Sequence, residues 1–178
     1  MNRLLGLFVI AFALALGVVG CDADSNNCDP GGDCSCTGGN DCFLACNGSG
    51  CRESCHHQVH CGGVCDDNCH FECHDMNDCT TSCGQFCDAS CHNVVSCGAI
   101  IGPGSRYSCH DASRCGVTTT DETADVAVID CRNVTTCEVR CLGNCELHCQ
   151  NTSTCRVFCG EDDDTARECT DGDDNCGC

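Results

Sequence analysis

His56, His74, His92 and His110 recur at intervals of 18 residues, each directly after a cysteine. Imidazole nitrogens are ligands for Zn²⁺, Cu²⁺ and Ni²⁺. Asp75 and Asp111 directly follow two of these histidines, and His57 and His60 lie close to the first. If the four stretches stack in register, the rings form a ladder with a step of about 4.8 Å. Neighbouring imidazoles with Asp75 and Asp111 then make a candidate divalent-metal site. The plainer reading is a polar turn position copied along with the rest of a repeat.

Sulfur offers a second chemistry. Twenty-nine of the 178 residues are cysteine. Closely spaced thiolates hold metal in metallothionein-like proteins, but an exported chain with regularly spaced cysteines points to disulfides. Two acidic tracts, Glu161-Asp162-Asp163-Asp164 and Asp171-Gly172-Asp173-Asp174, offer oxygen ligands of the kind Ca²⁺ takes. Their spacing does not match the twelve-residue calcium loop, and a solvated polar cap accounts for them. The chain has no nucleophile elbow, phosphate loop, His-Glu-x-x-His or Cys-x-x-Cys. The expectation is a protein that is not an enzyme and has no cofactor beyond a candidate divalent metal.

What must position these groups is a repeat. Units begin at Cys36, Cys55, Cys73, Cys91, Cys109, Cys131, Cys149 and Cys169, with steps of 19, 18, 18, 18, 22, 18 and 20 residues. The full unit carries cysteine at positions 1, 7, 11 and 15. The third unit has Cys73, Cys79, Cys83 and Cys87, and the sixth has Cys131, Cys137, Cys141 and Cys145. The first continues with Cys42, Cys46 and Cys51, and the second with Cys61, Cys65 and Cys69. The fourth and fifth add only Cys97 and Cys115, the seventh Cys155 and Cys159, and the last Cys176 and Cys178. Cys28 and Cys34 precede the first unit at the same spacing.

All four positions are odd, and the residue between paired cysteines in Cys-x-Φ-x-Cys is often apolar: Leu44, Val117, Val139 and Val157 in one stretch, Phe71, Ala89, Ile129 and Leu147 in the other. This period of two puts cysteines and apolar side chains on one face of a short strand. The links carry turn formers. Position 3 reads Asp75, Asn93, Asp111, Asn133, Asn151 and Asp171, and Asx residues tolerate left-handed backbone. The fold expected is all-β: a disulfide-stapled β-solenoid of about seven 18-residue coils, two short strands per coil. A helix also lines one side with a residue every four, but these segments lack Lys, are poor in Ala, Leu and Glu, and are broken by Gly and Asn. In outline the repeat resembles the disulfide-braced β-solenoids of insect antifreeze proteins. The likeness is architectural, because those proteins carry regular Thr-x-Thr rows and this chain has none.

The fourth and fifth units lack positions 11 and 15 together while keeping 1 and 7. Partners should vanish together, so the spacing favours bridges from 1 to 7 and from 11 to 15 within a coil, such as Cys55–Cys61 and Cys65–Cys69. Cys159 then has Cys178 as a candidate partner. The alternative links adjacent coils. Residues 98–130, where bridges drop out and Gly102-Pro103-Gly104 and an insert from Thr118 to Asp125 appear, are the expected weak point.

The address comes from the other end. Residues 1–20, MNRLLGLFVIAFALALGVVG, have one Arg, an apolar run and small residues at the close. This is the layout of a secretory signal peptide. Val18-Val19-Gly20-Cys21 resembles the lipobox of bacterial lipoproteins. By that resemblance Cys21 carries the lipid and becomes the new N-terminus. The alternative is an ordinary signal peptide with Cys21 in a bridge. Lipidation leaves an even 28 cysteines for pairing. The organisation expected is 1–20 signal peptide, 21–35 lipid-anchor linker and 36–178 cysteine-rich solenoid with an acidic C-terminal cap. After residue 20 the chain keeps 7 Arg against 27 Asp and Glu, net −20, with no Lys. That field repels nucleic acid. The partner expected is a membrane, reached through the lipid anchor in the cell envelope, with any protein or glycan ligand left open.

Overall fold

A computed structural model describes residues 27–120, 124–161, 165–170, 172 and 176–178. The signal peptide at 1–20, the lipidation site Cys21, Asp162 to Asp164, Asp171, Asp173 and Asp174 lie outside the described residues. Among the described residues there is strand and turn, with no helix.

The chain winds as a β-solenoid of about seven turns. Strand β1 (Asn27–Cys28) comes one coil early, β2 (Asp33–Thr37) and β3 (Asp41–Cys46) form the first coil, and β1 stacks on the end of β3. Strands β4 (Arg52–His56) and β5 (His60–Cys65) form the second. Each of the next four coils is one long strand: β6 (His70–Cys83), β7 (Asp88–Ile101), β8 (Arg106–Thr119) and β9 (Ala127–Cys141). The seventh coil is β10 (Cys145–Gln150) and β11 (Thr154–Cys159). Neighbouring coils pair in parallel and in register. Cys73 lies beside Cys91, Cys91 beside Cys109, and Cys109 beside Cys131.

Stacking begins ahead of Cys36. Asn27 and Cys28 pair with Ala45 and Cys46, and Asp33 to Thr37 pair with Arg52 to His56. The Cys28–Cys34 bridge has the six-residue separation of a 1-to-7 pair, but the register sets Cys28 beside Cys46 and Cys34 beside Glu53, so it closes the 11-to-15 side of the stack. At the other end the described residues form no eighth parallel coil. Instead β12 (Arg167–Glu168) runs antiparallel on β11, and β13 (Cys176–Gly177) antiparallel on β10. Bridges Cys159–Cys178 and Cys169–Cys176 hold this cap over an edge that otherwise exposes unpaired backbone groups.

Two five-residue strands per coil were expected, and the outer coils are divided in that way. In the central coils the ladder runs through the corner. The corner is a single residue in left-handed backbone: Asp75 (φ 58°), Asn93 (54°), Asp111 (55°) and Asn133 (53°). One such residue turns the chain while its neighbours on both sides stay paired to the same positions one coil away. His57 (57°) and Gly38 (70°) take this corner in the first two coils and Asn151 (53°) in the seventh.

All 28 described cysteines are bridged; from Cys36 to Cys155 the bridges follow the 1-to-7 and 11-to-15 scheme, Cys46–Cys51 being one residue wider, and Cα–Cα separations of 5.7 to 6.5 Å suit the geometry of a disulfide. The interior holds two facing rows. One is Cys34, Glu53, Phe71, Ala89, Tyr107, Ile129 and Leu147, each the ladder partner of the next. The other is Leu44, Gly63, Thr81, Ala99, Val117, Val139 and Val157. Bulk on one side meets its absence on the other. A Cβ on Gly63 would run into the Phe71 ring and stand 2.7 Å from Glu53 Oε2.

Among the described residues of 98–130 the packing does not thin. Ile101 and Thr119 stand in the ladder beside Cys83 and Cys141, and Ala127 beside Cys145. Ile101, Ser105, Thr119 and Ala127 are all buried, so side-chain packing fills the space that sulfur fills elsewhere.

Candidate functional site

Position 1 of each coil points inward and bridges, so position 2 points outward. That alternation lines up Thr37, His56, His74, His92, His110, Arg132 and Gln150 on one face, each beside the next. The four expected imidazoles are brought together. His56 and His74 have ring centroids 4.9 Å apart with planes at 19°, His74 and His92 5.0 Å at 6°, and His92 and His110 5.0 Å at 2°. The rings are half-buried and stacked like coins.

The corner residues flank this stack. His74 Nδ1 lies 3.0 Å from Asp75 Oδ2, and His110 Nδ1 lies 3.2 Å from Asp111 Oδ2. Asn93 Nδ2 donates to Asp75 Oδ1 at 3.2 Å, Asn133 Nδ2 to Asp111 Oδ1 at 3.0 Å, and Asn151 Nδ2 to Asn133 Oδ1 at 3.1 Å. The hydrogen bonds from His74 and then Asn93 hold the Asp75 carboxyl below the usual carboxylate range. His110 and then Asn133 do the same for Asp111. Burial, followed by the neighbouring His74 and His57 rings, pushes the His56 imidazole below its ordinary value.

Some residues join the site that histidine spacing alone does not announce. Glu72 Oε1 comes within 3.5 Å of His92 Nε2, and Thr37 Oγ1 within 3.2 Å of His56 Nε2. Both are readable from register: Thr37 is at position 2 of the first unit, and Glu72 is two residues before His74 on the same strand face. His57 turns the second corner and meets the His74 ring edge-on at 6.2 Å. His60 lies on the far side of that corner and pairs with Asp78 at 2.9 Å.

The geometry sets what the row can do. A tetrahedral ion bound at about 2.0–2.1 Å needs its nitrogens within about 3.4 Å of each other. Stacked rings 5.0 Å apart hold equivalent nitrogens at roughly the ring spacing. One ion therefore bridges two of these imidazoles only after rings rotate out of the stack. Among the described residues, groups of three ligand atoms within 4.8 Å are made of cysteine sulfurs alone, such as Cys69, Cys83 and Cys87, and those sulfurs are already bridged.

A second unusual site lies inside. Glu53 takes the apolar slot of Cys51-x-Glu53-x-Cys55 and is 1% exposed. Its Oε2 has no hydrogen-bond partner. Burial pushes its carboxyl up to about 7, against the lowering pull of the Cys46 N–H. Comparison of the chain with family models, with curated proteins and with solved structures returns no match.

Proposed function

We propose that this chain is a non-enzymatic lipoprotein of the bacterial cell envelope, exported, held to a membrane by lipid on Cys21, and serving as a rigid, protease-resistant structural or adhesive rod. One observation carries the reading: all 28 described cysteines are bridged along a ladder that stays in register through the whole stack. A fold stapled in this way suits an oxidising space outside the cytoplasm. The acidic surface disfavours nucleic acid as a partner, leaving protein or glycan surfaces as ligands.

The test has two arms. Intact mass and thiol titration of envelope-derived protein should give a lipid-modified Cys21 and no free thiol. Protease resistance should vanish after full reduction. Many free thiols, or release of an unlipidated chain into the medium, would remove the reading.

A second reading, binding of Zn²⁺ or Cu²⁺ by the same protein, is favoured by the convergence of four imidazoles with Asp75 and Asp111. Calorimetric titration separates the two. Binding that needs His74 and His92 and weakens below pH 6 supports metal. No heat below about 100 μM ion, or heat unchanged by His74→Ala with His92→Ala, rejects it.

A further inference from the structure

Glu53 is the one buried carboxyl among the described residues, and it stands where every other coil of its row places an apolar side chain or a bridged sulfur. One oxygen of this buried carboxyl, Oε2, has no partner, which is costly and calls for an explanation beyond packing. Its surroundings supply one. The ladder neighbour of Glu53 is Cys34, and Cys28 Sγ lies 4.0 Å from Glu53 Oε1. Cys28 and Cys34 form the first bridge of the stack. The other groups around the carboxyl, Cys46, Gly63 and Phe71, are uncharged. The titratable groups of the adjoining strands, Asp33, Arg52, His70 and Glu72, alternate to the outer face and line a groove there.

The two sulfurs of this bridge differ. Cys28 is 4% exposed, whereas Cys34 is half-buried and the more accessible to a nucleophile. The bridge also sits at the edge of the stack formed by the described residues. Strand β1 has two residues, and the coils beyond it are held by their own bridges. Opening Cys28–Cys34 breaks none of those bridges.

We propose that Cys28–Cys34 is a redox-active disulfide that exchanges with an external dithiol, with the Glu53 carboxyl as proton donor to the Cys28 sulfur. A thiolate of the dithiol attacks Cys34 Sγ. The Cys28–Cys34 bond breaks and its electron pair goes to Cys28 Sγ. Expelled into an apolar interior, that thiolate takes the proton of Glu53, which becomes a carboxylate and is reprotonated from solvent. The second thiol of the dithiol then attacks the mixed disulfide, releasing Cys34 as a thiolate that is protonated from water. The dithiol leaves oxidised by two electrons, and Cys28 and Cys34 remain as thiols. The acid form of Glu53 predominates below about 7, so the chemistry runs with the proton in place in neutral and mildly acidic surroundings.

The experiment is partial reduction of the full oxidised protein with limiting dithiothreitol between pH 5.5 and 8.5. Thiols are trapped by acid alkylation, and bridges are mapped by mass spectrometry. Rates are divided by the concentration of dithiothreitol thiolate. Cys28–Cys34 should open first, with a corrected rate at least about tenfold higher at pH 6 than at pH 8, turning over near 7. In Glu53→Gln the corrected rate should be flat with pH and low throughout, while Cys169–Cys176 in the cap, the control for a terminal bridge, keeps its wild-type rate. If another bridge opens first in the wild-type protein, the assignment of the redox site is overturned whatever the variant does. If Cys28–Cys34 opens first with the same pH profile in Glu53→Gln, its reactivity is that of any terminal bridge and Glu53 has no part in it.

Discussion

The imidazole of His74 lies face to face with that of His92, centroids 5.0 Å apart and planes 6° from parallel. The same stacking sets the His74 ring 4.9 Å from that of His56, where the two rings oppose each other's protons. Seven of the eight histidines also have a carboxylate oxygen within 4.0 Å, for example His60 with Asp78 and His148 with Asp130. The chain has no Lys, and Arg106, Arg114 and Arg156 pair with acids in the same way.

His56 is the ring on which opposition wins, since burial and its His neighbours both disfavour its cation. A group held below its unfolded value stabilises the fold above that value, 6.5, and the stabilisation is lost as pH falls through the folded one. Ring-proton NMR should show His56 titrating below a free histidine, and His74→Gln should bring it back up. A midpoint at or above 6.5 in the wild type would contradict the stack.

Glu53 has the opposite sign. Its folded value, about 7, lies above the unfolded 4.5. The stability it contributes is complete below 4.5 and is lost as pH rises through 7, by at most about 3 kcal/mol. Denaturant titrations at pH 4.5 and 8 should differ by an amount that Glu53→Gln abolishes.

Tyr107 is 1% exposed, and its hydroxyl has no partner. Burial raises the phenol above its ordinary range. Removing an unsatisfied buried hydroxyl removes its desolvation cost. Tyr107→Phe should leave stability unchanged or raise it by about 1 kcal/mol in urea unfolding. A loss of that size would mean the hydroxyl is bonded.

Asn133 holds φ at 53°, donates to Asp111 and accepts from Asn151. Asn133→Val forces a β-branched residue into left-handed backbone at a cost of about 1–2 kcal/mol, plus the lost ladder bonds. Asn133→Gly keeps the corner and loses only the bonds. Thermal unfolding should rank wild type above Gly and Gly above Val.

Ile101 and Ser105 occupy the places that Cys83 and Cys87 hold one coil earlier, with the same separation in sequence. Ile101→Cys with Ser105→Cys should therefore oxidise to a fifteenth bridge, seen as a loss of two mass units. Two stable thiols at that site would contradict the register.

Periodicity, inward cysteines and pairing within coils were legible because a period of two and a co-varying absence of cysteines each have a single geometric meaning. The His row was legible for the same reason, since residues 18 apart must meet in a parallel stack. The cap was not. Nothing in the spacing of Cys169 and Cys176 distinguishes another parallel coil from a chain that doubles back, and the difference lies in which edge the strand covers. The packing at Ile101 and Thr119 was also hidden, because a missing bridge reads as weakness until the side chains that replace it are seen facing one another. Glu53 was in plain view as an acid in an apolar slot. Its weight became apparent only beside Cys28 and Cys34.

The one-residue corner at Asp75, Asn93, Asp111 and Asn133 bears on how such a chain changes length. Each coil touches only the coil on either side, and these four corners are alike. Copying one block of 18 codons adds a floor to the building without redesigning the floors around it. Rods of many heights are open to a gene that slips in replication, and reach rather than shape is the property selection can tune most readily.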